Sequence, residues 1–170
     1  VPSPATRATT LFSLSAVIAY LQSAGSVLAS APADLRDGAR VAIVADAVSE
    51  RIESETARAF VTRSIVETRN GNGKRSLHLR HFPVVAVASL TLADVPGGTP
   101  VALTPGADYD VDPVTGEIRR RSGIFSRGFQ NVVATYTAGY GAQDGATLPA
   151  DVYQAGLDYV KFTYQRLSAD

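Results

Sequence analysis

Few residues in this chain could do chemistry, and their spacing decides most cases. His78 and His81 are the only histidines, and there is no cysteine. Three residues apart on an extended segment, the two imidazoles point to opposite faces, so a shared metal ion would need a bend and a third ligand that the neighbourhood does not offer. The lack of cysteine excludes thiol catalysis, zinc-thiolate sites and disulfide scaffolds together, and leaves the redox compartment open. Asp108-Tyr109-Asp110-Val111-Asp112 spaces carboxylates in the manner of a calcium loop, but Pro113 and Arg119 stand where that loop requires glycine and glutamate. These acids read instead as side chains along a strand edge that cap the next turn. Gly71-Asn72-Gly73-Lys74-Arg75-Ser76 glances at a phosphate-binding loop, yet Thr68 replaces its first glycine and Arg75 follows the lysine. No Gly-x-Ser-x-Gly elbow occurs. The reading is of a protein that is not an enzyme and has no catalytic residue, cofactor or metal.

What does cluster is positive charge. Arg58, Arg63, Arg69, Lys74, Arg75 and Arg80 enclose only Glu67, and Arg119, Arg120, Arg121 and Arg127 have no acid between them. The whole chain balances sixteen basic against sixteen acidic residues, which argues against a dedicated nucleic-acid binder but not against a local patch. Arg69, Lys74, Arg75, Arg119, Arg120 and Arg121 are the candidate channel- or DNA-facing patch. Two readings stay open for it: a solvated sheet face that forms ion pairs between subunits, or weak, sequence-independent contact with DNA phosphates.

The elements that must position these residues follow from periodicity. With 170 residues, 45% of them hydrophobic, and a mean hydropathy of +0.05, the chain is of ordinary globular composition. At this size folding buries roughly 70% of the exposed surface, so no disulfide or metal staple is required. No apolar run reaches membrane-spanning length. Arg7, the stretch from Leu11 to Leu21 and Ala29-Ser30-Ala31 imitate a secretory signal, but Ser13, Ser15 and Tyr20 interrupt the stretch and Pro32 follows the cleavage-like site. A helix fits better, capped by Thr10 or Ser13 and burying Leu14, Val17, Ile18 and Leu21. A linker from Ser23 to Ala33 leads to a second helix, Leu35 to Phe60, opened by Asp34 and Asp37, with Val41, Val44, Val48 and Ile52 inward. A β section then runs from 61 to 141. Ser64 to Arg69 and Ser76 to Arg80 are expected to form a hairpin around Asn70-Gly71-Asn72-Gly73. Val84 to Leu92 is a strand, and 94 to 106 a long loop. Tyr109 to Val111 and Glu117 to Arg121 flank a tight turn, and Asn131 to Thr137 is a last strand. The closing helix starts at Leu148-Pro149 with Asp151 in its first turn. Val152, Ala155, Gly156, Tyr159, Val160, Thr163 and Leu167 are expected inward, leaving Tyr153, Phe162, Tyr164 and Arg166 as interface anchors. The expected architecture is one α+β domain over 1–170, with a small helical bundle (10–60 and 148–168) and an inserted antiparallel β section.

Several fragments, taken in order, carry a resemblance. They are Ala19-Tyr20-Leu21, Val48-Ser49-Glu50-Arg51-Ile52-Glu53 running into Ala57-Arg58-Ala59-Phe60, and Leu77-His78-Leu79-Arg80-His81-Phe82-Pro83-Val84. Tyr109-Asp110-Val111-Asp112 follows with Thr115-Gly116-Glu117-Ile118, then Asn131 to Tyr140 with its Thr-Ala-Gly-Tyr close, and Leu148-Pro149-Ala150-Asp151-Val152. Across nearly its whole length the chain resembles the head-tail connector (adaptor or head-completion) proteins of tailed double-stranded DNA phages and gene transfer agents. That resemblance implies a homo-oligomeric ring, usually of twelve copies, beneath the portal protein at the virion neck, assembled in the host cytoplasm. The ring would extend the DNA channel, meet a stopper or tail-side protein and touch passing duplex DNA transiently. The resemblance brings no catalytic residue, cofactor or membrane partner.

Overall fold

The computed structural model describes residues 10–23, 35–94, 98–142 and 147–168. Arg7, Ala29 to Ala31, Pro32 and Asp34, on which part of the N-terminal reading rests, lie outside them, as does most of the 23–33 linker. Chain contacts divide the molecule into a helical unit, residues 1–56 with 140–170, and a β unit, residues 57–139. The fold is α+β, as the periodicities predict.

The helical unit packs α1 (Leu14–Ser23), α2 (Leu35–Thr56) and α3 (Ala150–Ser168). Ser13 caps α1 by accepting the Ala16 amide at 3.3 Å, while Thr10 is buried and donates to the Phe12 carbonyl. Val17 and Leu21 are fully buried, and so are Leu11 and Phe12, which precede the helix and fall outside its periodic stripe. Val41, Val44, Ala45 and Val48 form the inward face of α2, and Ser49 in that face accepts the Leu11 amide at 3.1 Å while donating to the Ala45 carbonyl. The helix stops four residues before the expected Phe60. Ala57 adopts the left-handed conformation (φ 53°), the backbone state that commonly closes helices. Ala59, Phe60 and Val61 are then buried beyond the helix end. On α3, Gly156 exists for contact: a Cβ there would sit 2.3 Å from Phe12 Cζ and 3.3 Å from Ile52 Cδ1.

The β unit holds seven described strands in two antiparallel sheets: β1 (Arg63–Gly71), β2 (Ser76–His78), β3 (Val84–Leu92), β4 (Val101–Leu103), β5 (Tyr109–Val111), β6 (Glu117–Arg120) and β7 (Gly128–Ala138). The sheet orders are β1-β7-β3-β4 and β2-β6-β5. One apolar cluster draws on both sheets, with Leu90, Leu92, Val132 and Tyr136 from the first and Leu77, Tyr109 and Ile118 from the second. The β5–β6 hairpin and its Asp112–Gly116 turn agree with the sequence reading. The β1–β2 hairpin does not form. β1 pairs with β7 and β2 with β6, so Asn70 to Gly73 carries the chain from one sheet to the other. Asn131 enforces the crossing. Its Oδ1 accepts the Gly71 amide at 2.7 Å, and its Nδ2 donates to the carbonyls of Ser126 (2.7 Å) and Ala93 (3.1 Å). Gly73, at φ 73°, donates to the Phe125 carbonyl, and the Phe125 amide returns a bond to Lys74. The segment therefore pairs with Phe125 rather than folding back on β1. Within the expected 94–106 loop, β4 pairs with β3.

Candidate assembly surfaces

The C-terminal helix keeps part of its expected inward stripe, Gly156 and Val160, but turns it toward Leu157 and Tyr164. Gly156, Leu157, Val160 and Tyr164 are buried, whereas Ala155 and Leu167 are exposed. Of the four proposed anchors, Tyr164 is therefore a core residue, and Tyr153 is half-buried with its ring 5.5 Å from that of Phe12. Phe162, 61% exposed, and Arg166 do face outward. On the same outer side the Tyr20 hydroxyl donates to the Asp158 carboxylate and accepts from Gln154 Nε2 at 3.3 Å. The bond to Asp158, then burial, raises the Tyr20 pKa. Arg40 Nη2 donates to the Leu167 carbonyl at 3.0 Å, a cation at the negative end of α3.

The basic residues come together at one end of the β unit, with differing fates. Arg121 forms a two-pronged pair with Asp110, at 2.9 and 2.7 Å; this hydrogen bonding lowers the Asp110 pKa and raises that of Arg121. Arg69 Nε lies 3.5 Å from Glu67. Arg75 donates to the carbonyls of Arg120 and Arg121, and Arg120 to that of Ile124 at 3.1 Å. Carbonyls are neutral, so these two cations keep their charge. Lys74 and Arg119 are exposed. Two residues outside the candidate patch belong to this tip. Arg127 packs on Gly73, whose missing Cβ would lie 2.9 Å from Arg127 Cγ, and Phe129 is 78% exposed. Phe129 gave no sequence signal, because it sits at the start of a strand where apolar residues are ordinary.

The rejected motifs have structural occupations. Asp108 Oδ2 accepts the Thr104 amide at 2.7 Å, and Asp112 caps the β5–β6 turn through the Val114 amide and the Thr115 hydroxyl, contacts that lower its pKa. His78 is exposed on β2, and the His81 amide donates to the Tyr136 hydroxyl at 3.3 Å. That hydroxyl in turn donates to Glu67, and burial followed by this bond pushes the Tyr136 pKa far up. Glu67 also accepts the Arg80 amide at 3.0 Å. Among the described residues no group of three or more His, Cys, Asp and Glu side chains is gathered to hold a metal ion, and no described helix is long and apolar enough to cross a membrane.

No protein family's sequence profile and no curated protein matches the chain. Solved structures do resemble it. A chain in the virion of a native gene transfer agent particle superposes with a TM-score of 0.69 at 22% identity, over 89% of this chain and 76% of that one. A chain in the neck of an empty gene transfer agent particle, computed with C6 symmetry, gives 0.65 at 22%, over 87% and 76%. One in the neck of a native particle, computed with C12 symmetry, gives 0.60 at 24%, over 76% and 72%. The fold is shared with these chains through both its helical and its β elements.

Proposed function

We propose that this chain is a structural protein of the virion neck in a tailed phage or gene transfer agent, where it forms an adaptor ring between the portal and the stopper or tail-side protein. The observation that carries the reading is the shared fold with chains of gene transfer agent virions and necks, the latter computed with six- and twelve-fold symmetry. Ring subunits need two complementary lateral faces and two dissimilar ends.

Portal docking falls to the outer side of α3 in this reading, with Phe162 and Arg166 as anchors, since exposed aromatic and arginine side chains dominate association energies. Phe162→Ala and Arg166→Ala should each weaken co-sedimentation with portal rings about tenfold or more. Their circular-dichroism spectra should not change. Images of particles carrying a tagged chain test the whole proposal: density between portal and tail is expected, and a tag found elsewhere overturns it. An accessory DNA-contacting role makes a different forecast, salt-sensitive retention of arbitrary duplex by the isolated chain.

A further inference from the structure

We infer that neighbouring copies meet head to tail, with the basic tip of one β unit, centred on Phe129, seated on the acidic helical unit of the next copy at the cleft beside Tyr159. The inference rests on the ring reading above and names its lateral contact. Its first support is charge. Residues 57–139 hold ten basic and six acidic residues, and the remaining segments hold six basic and ten acidic, so a neutral chain divides into units of +4 and −4. Like units repel and unlike units attract across copies. That disfavours contacts between identical patches and favours the heterologous geometry that closes rings of more than two subunits.

The tip is built to present an aromatic ring. Gln130 holds a left-handed φ of 51°, and its amide donates to Asn70 Oδ1 at 2.7 Å. Strained backbone of this kind persists where its surroundings fix it, and it concentrates at functional surfaces. Here it leaves Phe129 as the most exposed large apolar side chain described, with Arg69 beside it and Lys74 and Arg127 on the neighbouring turn. A central aromatic rimmed by cations is the composition of an association hot spot.

The receiving surface lies where α2 ends. A cleft of about 330 Å³ is lined by Arg51, Ile52, Glu55, Thr56 and Tyr159, a mixed apolar and ionic wall open to solvent. The last turn of α2 carries Glu53 and Glu55 and no basic residue, with Glu55 paired to Arg51 Nε one turn back at 3.2 Å, so the negative end of the helix dipole is not offset within that turn. The Arg51 guanidinium already stands 6.0 Å from the centre of the Tyr159 ring, a face that favours cations. The cleft's volume and its apolar wall of Ile52 and Tyr159 suit an aromatic ring, while the charge match lies between the two units as wholes.

The chain has no cysteine, which makes the test clean. Phe129→Cys and Thr56→Cys are introduced together and singly, and particles or portal-bound assemblies are oxidised and run without reductant. The double variant should give a ladder of covalent multimers, and each single variant only monomer. Phe129→Ala should lower ring occupancy on the portal about tenfold or more, while Val114→Ala, at a site 73% exposed on a different turn, should leave it unchanged. Normal rings without a ladder, or normal occupancy with Phe129→Ala, overturn the inference. So does a Phe129→Ala variant that keeps its rings but loses retention on duplex DNA, which would assign the tip to DNA. Wild-type chain absent from the neck refutes the ring reading itself, and this is seen before any variant is made.

Discussion

The helical unit and the β unit are held together by different physics. In the helical unit the core is an apolar stripe on each helix, Val17 and Leu21, Val41 to Val48, and Leu157 to Tyr164, and its main polar contribution inside is Ser49, tying Leu11 to α2. In the β unit polar side chains hold several changes of direction: Asn131 at the sheet crossing, Asp112 at a turn, and the Tyr136–Glu67 pair beneath His81 and Arg80. Apolar contacts tolerate small shifts, whereas hydrogen bonds to a fixed backbone do not. The helical unit should therefore absorb perturbation that the β unit cannot.

The largest test of that difference uses two glycines. A methyl group at Gly71 would meet the Ser126 carbonyl oxygen at 1.9 Å, a backbone atom bonded in turn to Asn131. Gly71→Ala should cost about 3 kcal/mol or more and remove amide-exchange protection throughout β1 and β7. At Gly156 the obstacle is Phe12 Cζ, the far end of a side chain that a small change in χ1 can swing aside, whereas the Gly71 obstacle is backbone, so Gly156→Ala should cost less, about 1–2 kcal/mol. Equal penalties would erase the distinction between the units. A smaller effect separates two fully buried tyrosines. Tyr136→Phe removes one of the donors to a nearly buried carboxylate, leaving the Arg80 amide and Arg69, and should cost about 1–2 kcal/mol in urea denaturation. The Tyr109 hydroxyl is buried without a hydrogen-bond partner, so Tyr109→Phe should be neutral or stabilising. A costly Tyr109→Phe would mean that polar bonding is not what decides stability in this unit.

The same division governs what the sequence could reveal. Local periodicity carries the helices, since Val41, Val44 and Val48 lie on one face because of their spacing alone. It fails where packing partners lie far along the chain. Tyr164 is inward and Ala155 outward because Phe12, some 140 positions earlier, needs the gap at Gly156. The Asn70-Gly71-Asn72-Gly73 run has the chemistry of a hairpin turn, yet it becomes a crossing because Asn131, sixty residues on, captures the Gly71 amide. The basic cluster was legible as charge, but not the neutralisation of Arg121 by Asp110, eleven residues away on the facing hairpin strand. Phe129 was not legible at all, because an apolar residue opening a strand is ordinary in sequence and only the fold leaves it 78% exposed.

The smallest predicted effect is a pH dependence with opposite signs at its two ends. Asp110 and Asp112, both in the β5–β6 hairpin, have pKa values below the ordinary aspartate value because Arg121, and the Thr115 hydroxyl with the Val114 amide, bond their charged forms. A carboxylate depressed by folding contributes stability that is complete above the unfolded value, about 3.9, and is lost as pH falls through the folded one. Tyr20, in the helical unit, is shifted the other way by its bond to Asp158, so its contribution is complete below the unfolded tyrosine value of about 10 and fades as pH rises through the folded one. Acid should therefore loosen the β5–β6 hairpin first, and alkali the contact between α1 and α3. Both aspartates are open to solvent, so salt will shrink the acid effect. Hydrogen exchange followed by mass spectrometry at pH 3 and at neutral pH checks it: wild type should lose protection in 109–120 at the lower pH. Asp110→Asn should flatten that loss, and Arg121→Gln should flatten it to the same degree with no further change in the double variant, because each removes the one pair. A wild-type slope in a variant carrying both Asp110→Asn and Asp112→Asn would move the acid sensitivity out of this hairpin and remove the contrast between the two units.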